Sequence, residues 1–148
     1  MKDAAAIVLA EDNPNEVELT LHALEQHRLA DSVHVARDGS ELLDYVFCQG
    51  QYRDRCPANL PRLVLLDLKL PKVDGLEVLR RMKGDQQLRV VPVVVLTTSS
   101  QERDIVESYR AGANSYITKP VDFDEFTGMV DTLMRYWLLL NKLPNPKR

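Results

Sequence analysis

Apolar residues fall along this chain in two rhythms. Short unbroken runs at Ala5–Ala10, Leu63–Leu66 and Val93–Leu96 have the length and flanks of strands, Leu63–Leu66 of one buried on both faces, and Val33–Ala36, interrupted by His34, predicts another. Ser115–Thr118 predicts a brief fifth strand. Between these, apolar positions recur every three or four residues, the spacing of helices with one inward face. Val17, Leu21 and Leu24 follow Asn13-Pro14, a helix opening with proline in its first turn. Leu42, Leu43, Val46 and Phe47 follow Asp38-Gly39, and Leu76, Leu79 and Met82 follow Gly75. Ile105, Val106 and Tyr109 mark a helix ending at Gly112, where the chain needs a residue that tolerates positive φ. The last helix is predicted over Phe123–Leu140. Pro92 fits only the beginning of the fourth strand, because it has no N–H for the ladder. Residues 48–61, "CQGQYRDRCPANLP", are polar and broken by Gly and two prolines, so they predict a loop.

Five strands alternating with five helices predict an α/β fold: a parallel sheet covered on both faces, joined by right-handed crossovers. A chain of 148 residues is long enough for one domain with a real core. With no repeat, low-complexity tract or linker, the expectation is a single domain over 1–148. Its core would span about 5–140, followed by a frayed tail, "NKLPNPKR", and no output domain.

Bulk properties narrow the function mainly by exclusion. Apolar content of 45% and charged content of 28% are ordinary for a globular protein. A formal charge of −3 gives no general attraction to nucleic acid or anionic membrane. Cys48 and Cys56 are too few for a disulfide framework or a complete zinc site, and are expected as reduced thiols. No stretch reaches the roughly 18 apolar residues of a membrane span. The amino terminus runs from a short apolar segment directly into acids, unlike a signal peptide. A cytoplasmic location is expected.

Chemistry gathers at the carboxyl ends of the strands, where open α/β sheets bind ligands. Strand one ends in Glu11-Asp12, strand three in Asp67, strand four in Thr97-Thr98 and strand five in Lys119. If strands one and three are neighbours, three carboxylates converge and repel one another unless a positive charge sits among them. A divalent cation meets that need, and an all-oxygen set suits Mg²⁺ or Mn²⁺. Asp67 could then attack an electrophilic phosphorus and form an acyl phosphate. The metal, the Lys119 ammonium, and the Thr97 hydroxyl with nearby N–H groups could each neutralise one equatorial oxygen. Each signal alone is common at strand ends; the conjunction is rare.

These residues resemble the receiver domain of two-component response regulators. The likeness covers about residues 5–140: Glu11-Asp12, the D-x-x-x-P-x-x-x-G of Asp67, Pro71 and Gly75, then Thr97, and Tyr116-x-x-Lys119-Pro120. It implies a flavodoxin-like fold with strand order 2-1-3-4-5, for which a chemotaxis receiver is a standard example. It further implies that Asp67 is the phosphoacceptor, with Lys119 and Thr97 as catalytic partners. Asp12 would bind the metal directly, Glu11 through a water, and the backbone carbonyl of Lys69 would complete the protein ligands. Thr97 and Tyr116 would form the switch, and Lys119–Pro120 would be a cis peptide. The donor would be a histidine of a sensor kinase, and the chain no enzyme beyond its own phosphorylation and dephosphorylation. The extended loop before strand three, with "VVVLTTSS" and "NSYITKPVDFDEF", is similar to single-domain regulators paired with bacterial phytochromes. That likeness implies a phytochrome kinase as partner.

Several other features carry weaker signals. Phe123, Phe126, Val130, Leu133 and Trp137 form one helical stripe, but "YWLLL" at 136–140 is apolar on every side. Tyr136, Trp137, Leu139 and Leu140 are therefore candidates for a homodimer interface through the last helix. His22, His27 and His34 lack metal spacing and are expected at the surface. Arg80, Arg81 and Lys83 predict a solvated basic face, and Lys69 and Ser99 flank the phosphoryl pocket.

Other functions use similar parts. A metal-dependent aspartyl phosphatase or phosphotransferase acting on small molecules is one alternative, and a phosphorelay intermediate is another. Haloacid-dehalogenase-like enzymes want a second Asp where this chain has Lys69. A flavodoxin would need phosphate donors where "EDNPNE" offers acids. A receiver that only binds proteins would not need the intact acidic cluster.

Overall fold

The computed structural model describes residues 5–27 and 32–144. Its strands are β1 (Ile7–Ala10), β2 (Val33–Ala36), β3 (Leu63–Leu66), β4 (Val93–Thr97) and β5 (Ser115–Thr118). They alternate with helices α1 (Pro14–Glu25), α2 (Gly39–Val46), α3 (Gly75–Gly84), α4 (Glu102–Arg110) and α5 (Phe123–Met134). The five strands are parallel and lie in the order β2-β1-β3-β4-β5, the flavodoxin-like order expected from the sequence. Residues 1–4, 28–31 and 145–148 lie outside the described segments, and with them half of the tail.

β1, β3 and β4 are buried throughout, as their unbroken apolar runs predict. Alternation splits the core into two layers. Val8, Ala10, Val64, Leu66, Val93 and Val95 meet α2 and α3, whereas Ile7, Leu9, Leu63, Leu65 and Val94 meet α1 and α5. Each fully buried Leu or Val contributes about 1.5–3 kcal/mol from its removal from water. Four helices begin on an Asn or Asp whose side chain accepts N–H bonds from the first turn: Asn13, Asp38, Asp74 and Asp122. Each is followed three residues later by Glu, the spacing of a capping box.

Two helices depart from the periodic reading. In α4 only Ser108 is buried; Ile105 and Val106 are half-buried and Tyr109 is exposed. This strongly charged helix lies shallowly on the sheet, so three apolar residues did not define a core face. The last helix changes to π geometry at Arg135–Leu140. That wider turn shifts the inward face, so Leu138 is buried whereas Trp137 is half-buried; Phe123, at the opposite end of α5, is exposed.

Glycine matters directly at the Asp67 loop. A Cβ on Gly75 would stand 2.5 Å from the Asp67 carbonyl oxygen and 2.7 Å from Leu68 Cα. Its N–H donates to the Leu68 carbonyl at 2.9 Å. Absence of a side chain thus lets α3 press against the loop that carries Asp67. Gly112 has φ +109, the left-handed conformation expected after α4.

Candidate functional site

β1 and β3 are neighbours, and Ala10 pairs with Leu66, so Glu11 and Asp67 leave adjacent strands side by side. Carboxylate oxygens of Glu11, Asp12 and Asp67 lie within 4.8 Å of one another. Glu11 is buried, Asp67 nearly so, and Asp12 is exposed. Lys119 follows β5, and its N–H donates to the Thr97 carbonyl at 2.7 Å. Its ammonium donates to Glu11 Oε1, to Asp67 Oδ2 at 3.2 Å and to Glu16 Oε2 at 3.0 Å. The Lys119 side chain is only 6% exposed, so this contact works in a poorly solvated corner.

Burial pushes the Glu11 carboxyl up to about 7; the Lys119 hydrogen bond opposes this and Asp67 repulsion adds to it. Burial pulls the Lys119 ammonium down, but the Glu11 hydrogen bond and the Asp67 and Glu16 carboxylates outweigh it and leave it raised. One ammonium faces three carboxylates of its own and Asp12 beyond them. Negative charge is in excess here, which is the condition that admits a cation. Three convergent carboxylate oxygens fit a divalent metal with an oxygen preference.

Around this corner the remaining residues are organised by the β4–α4 loop. Thr97 is fully buried, and its Oγ1 accepts the Ser99 N–H at 3.4 Å. The Ser99 carbonyl accepts the Tyr116 hydroxyl at 2.8 Å and Thr118 Oγ1 at 3.4 Å. Ser99 Oγ donates to Asp104 on α4. The Tyr116 phenol is pushed up, chiefly by burial. Lys69 N–H donates to Asp67 Oδ1 at 3.3 Å. Lys69, Ser99, Arg103 and Asp104 line a cavity of about 480 Å³ beyond β4.

The sequence residues Glu11, Asp12, Asp67, Thr97 and Lys119 are thus brought together, with Lys69, Ser99 and Tyr116 on their border. Glu16 was missed. Its capping-box spacing, Asn13-x-x-Glu16, points to the Asn13 N–H and gives no sign of the Lys119 contact.

Three expectations are corrected. Every peptide bond among the described residues is trans, including Lys119–Pro120; the trans form of such a bond is favoured by about 0.5–1 kcal/mol. Lys83 is not simply solvated, because its ammonium donates to the Arg89 and Val91 carbonyls and to Asn114 Oδ1 at 3.1, 2.7 and 3.0 Å. Arg80 and Arg81 do remain exposed, beside Glu77. His34 is half-buried, stacked on Tyr45 with ring centroids 3.9 Å apart, because β2 packs against α2 there. Cys48 and Cys56 are free thiols, as expected.

Comparison with known proteins agrees with this geometry. The family model described as the response regulator receiver domain matches residues 7–131. The chain belongs to this family. Other receivers resemble it over nearly their whole length. The bacteriophytochrome response regulator AtBRR is 52% identical, covering 95% of this chain and all of its own, with a TM-score of 0.73. The phosphorylated cyanobacterial phytochrome response regulator RcpA is 40% identical over 95% of this chain and 99% of its own, with a TM-score of 0.87. Response regulator Rcp1 of Synechocystis sp. is 36% identical over 93% of this chain and 92% of its own sequence. The Mn²⁺-bound structure of Rcp1 superposes with a TM-score of 0.84, covering 93% of this chain and 97% of that one. Receivers accept phosphoryl groups from histidine kinases, so this chain is a two-component response regulator, and the small-molecule phosphatase alternative is not favoured. No helix among the described residues is long and apolar enough to cross a membrane.

Proposed function

We propose that this receiver accepts a phosphoryl group on Asp67 from the histidine of a bacterial phytochrome kinase, with Mg²⁺ that would be held by Asp12, Asp67 and the Lys69 carbonyl and, through a water, by Glu11. The observation that carries this reading is the convergence of Glu11, Asp12 and Asp67 within 4.8 Å beside the Lys119 ammonium. An Asp67 oxygen forms the new bond to phosphorus as the donor's phosphorus–nitrogen bond breaks. Mg²⁺ or Mn²⁺ supplies charge neutralisation at a phosphoryl oxygen and relieves the crowding of the acids. Lys119 neutralises a second oxygen, and the Thr97 hydroxyl turns to a third. The same groups later support hydrolysis of the acyl phosphate, a reaction of the protein on itself.

The signal leaves the site through the β4–α4 loop. Thr97 holds the Ser99 N–H and Tyr116 holds the Ser99 carbonyl, so movement at one is felt by the other. Reorientation of both changes the face formed by α4, β5 and α5. A swing from mostly inactive to mostly active needs about 5 kcal/mol of differential stabilisation, within reach of several charge-assisted hydrogen bonds to a phosphoryl group. That face is suited to contact with another protein.

Incubation with acetyl phosphate and Mg²⁺, followed by intact mass, tests the chemistry. One phosphoryl group is expected, absent after chelation and absent in Asp67→Asn. Labelling without metal, or full labelling of the Asn variant, would require another mechanism. Mixing with a phosphorylated bacterial phytochrome tests the donor: rapid loss of its phosphate to the wild type supports the assignment.

A homodimer through the last helix belongs to the same reading. Tyr136, Leu139 and Leu140 are 49%, 75% and 70% exposed, and the π turn presents them outward while Leu138 anchors the segment. Trp137 packs partly against the core and contributes less. Sedimentation at tens of micromolar should show a wild-type dimer and a monomeric Leu139→Glu; a monomeric wild type would remove the dimer.

A further inference from the structure

Lys119 has three ammonium protons and three carboxylate partners, yet only two of those partners belong to the metal cluster. Glu11 and Asp67 do; Glu16 stands outside it, on the first turn of α1, 3.0 Å from the ammonium. In an ordinary capping box the acid at this position reaches back to the N–H of the capping residue. Here Glu11 Oε2 accepts the Asn13 N–H at 3.2 Å. Asn13 itself caps the turn, its Oδ1 accepting from Asn15 and Glu16 N–H at 2.9 and 3.3 Å. Glu11 has thus taken over the box's usual contact, and the Glu16 carboxylate is released toward the lysine.

We propose that Glu16 is a positioning residue for phosphoryl transfer, anchoring the Lys119 ammonium at the phosphoryl corner while Glu11 and Asp67 exchange partners. The proposal rests on Asp67 being the phosphoacceptor. Its physical basis is a division of labour among acids. A metal beside Glu11 and a phosphoryl group on Asp67 would weaken the hold of those carboxylates on the lysine. A long flexible side chain without an anchor disperses over many rotamers. Glu16 keeps one charge-assisted bond on the ammonium and leaves the other protons for phosphoryl oxygens. Its side chain is 31% exposed, so solvent screens it and the effect is moderate.

The experiment uses the full chain with acetyl phosphate, Mn²⁺ and the variants Glu16→Ala and Glu16→Gln. At saturating acetyl phosphate, Glu16→Ala should label on the order of tenfold more slowly, the loss of one partly exposed charge-assisted bond. Mn²⁺ affinity, followed by electron paramagnetic resonance of the free ion, should fall far less than the rate, because Glu16 stands outside the metal cluster. Glu16→Gln, whose amide oxygen still accepts a bond, should recover most of the rate. A ¹⁵N–¹H spectrum should show the protected Lys119 ammonium signal in wild type and a weaker, faster-exchanging one in Glu16→Ala, where Glu11 and Asp67 alone hold it. In a Lys119→Met background, Glu16→Ala should have no further effect. An unchanged or faster rate in Glu16→Ala, a loss of Mn²⁺ affinity as large as the loss of rate, or additional slowing in the Lys119→Met background would each overturn the proposal. Failure of the wild type itself to label would instead overturn the phosphoacceptor reading, while the ammonium signal would still report whether Glu16 holds Lys119.

Discussion

Lys119 and Arg55 are both buried cations, and they are held in opposite ways. Lys119 faces Glu11, Glu16 and Asp67, more negative charge than it can neutralise. The partners described for Arg55 are neutral. Its guanidinium donates to the Tyr45 carbonyl, to Cys48 Sγ at 3.4 Å and to the Asn59 carbonyl at 3.0 Å. It also lies 4.0 Å from the centre of the Tyr45 ring, a cation–π contact that suits an arginine removed from water. Backbone carbonyls and a packed ring cannot be exchanged for a ligand. Carboxylates can turn to a metal or yield the ammonium to a phosphoryl oxygen. Arg55 therefore reads as a fastener joining the loop after α2 to the end of α2, and Lys119 as part of a site that changes partners.

The largest effect expected from breaking this contrast is on rate. Lys119→Met should slow labelling of Asp67 by acetyl phosphate by about 10²–10³, the effect of removing a preorganised charge from a developing oxyanion. Far-ultraviolet circular dichroism should remain native, and a labelling rate within threefold of wild type would demote Lys119 to a structural role. Arg55→Met should show the reverse pattern. Urea unfolding should report a loss of about 2 kcal/mol, because buried carbonyls lose their donor, while the initial labelling rate stays at the wild-type value. A large fall in that rate would mean that the two corners are coupled.

The smallest effect is a pH dependence near Arg55. Burial holds the His34 imidazole below its usual range; Glu41 opposes this and Arg55 reinforces it. The imidazole is enclosed by Tyr45 and Tyr52 as well. Below about pH 6.5 the unfolded chain takes up a proton that the folded chain resists, so folding stability falls as pH falls through that window. His34→Phe keeps an aromatic ring against Tyr45 and removes the titration. Its urea midpoint should decline less than that of wild type between pH 7.5 and 5.5, and parallel declines would dismiss His34 as the cause.

Much of the fold was readable because it depends on local pattern. β2 and β5 have the bounds predicted for them, and Pro92 immediately precedes β4. Strand ends carrying Glu11, Asp67, Thr97 and Lys119 were visible as departures from apolar runs. α4 was legible as a helix but not in its packing, since a few apolar residues do not reveal how deeply a helix sits. The π turn at Arg135–Leu140 was also hidden, because in "YWLLL" every register offers an apolar face. Lys83 and His34 were read as surface residues for a related reason: their types are common outside, and the carbonyls and rings that receive them come from distant segments.

What the sequence determined by itself was the architecture and the kind of chemistry. Unbroken apolar runs must be covered on both faces, and acids ending such runs need a compensating cation. What only the tertiary structure decided was which charges meet. Glu16 and Lys119 are 103 positions apart, and nothing in the spacing of either names the other. Their contact arises because parallel crossovers bring the start of α1 and the end of β5 to the same carboxyl end of the sheet. Composition and periodicity specify faces, whereas the pairing of side chains across faces is set by register and crossing.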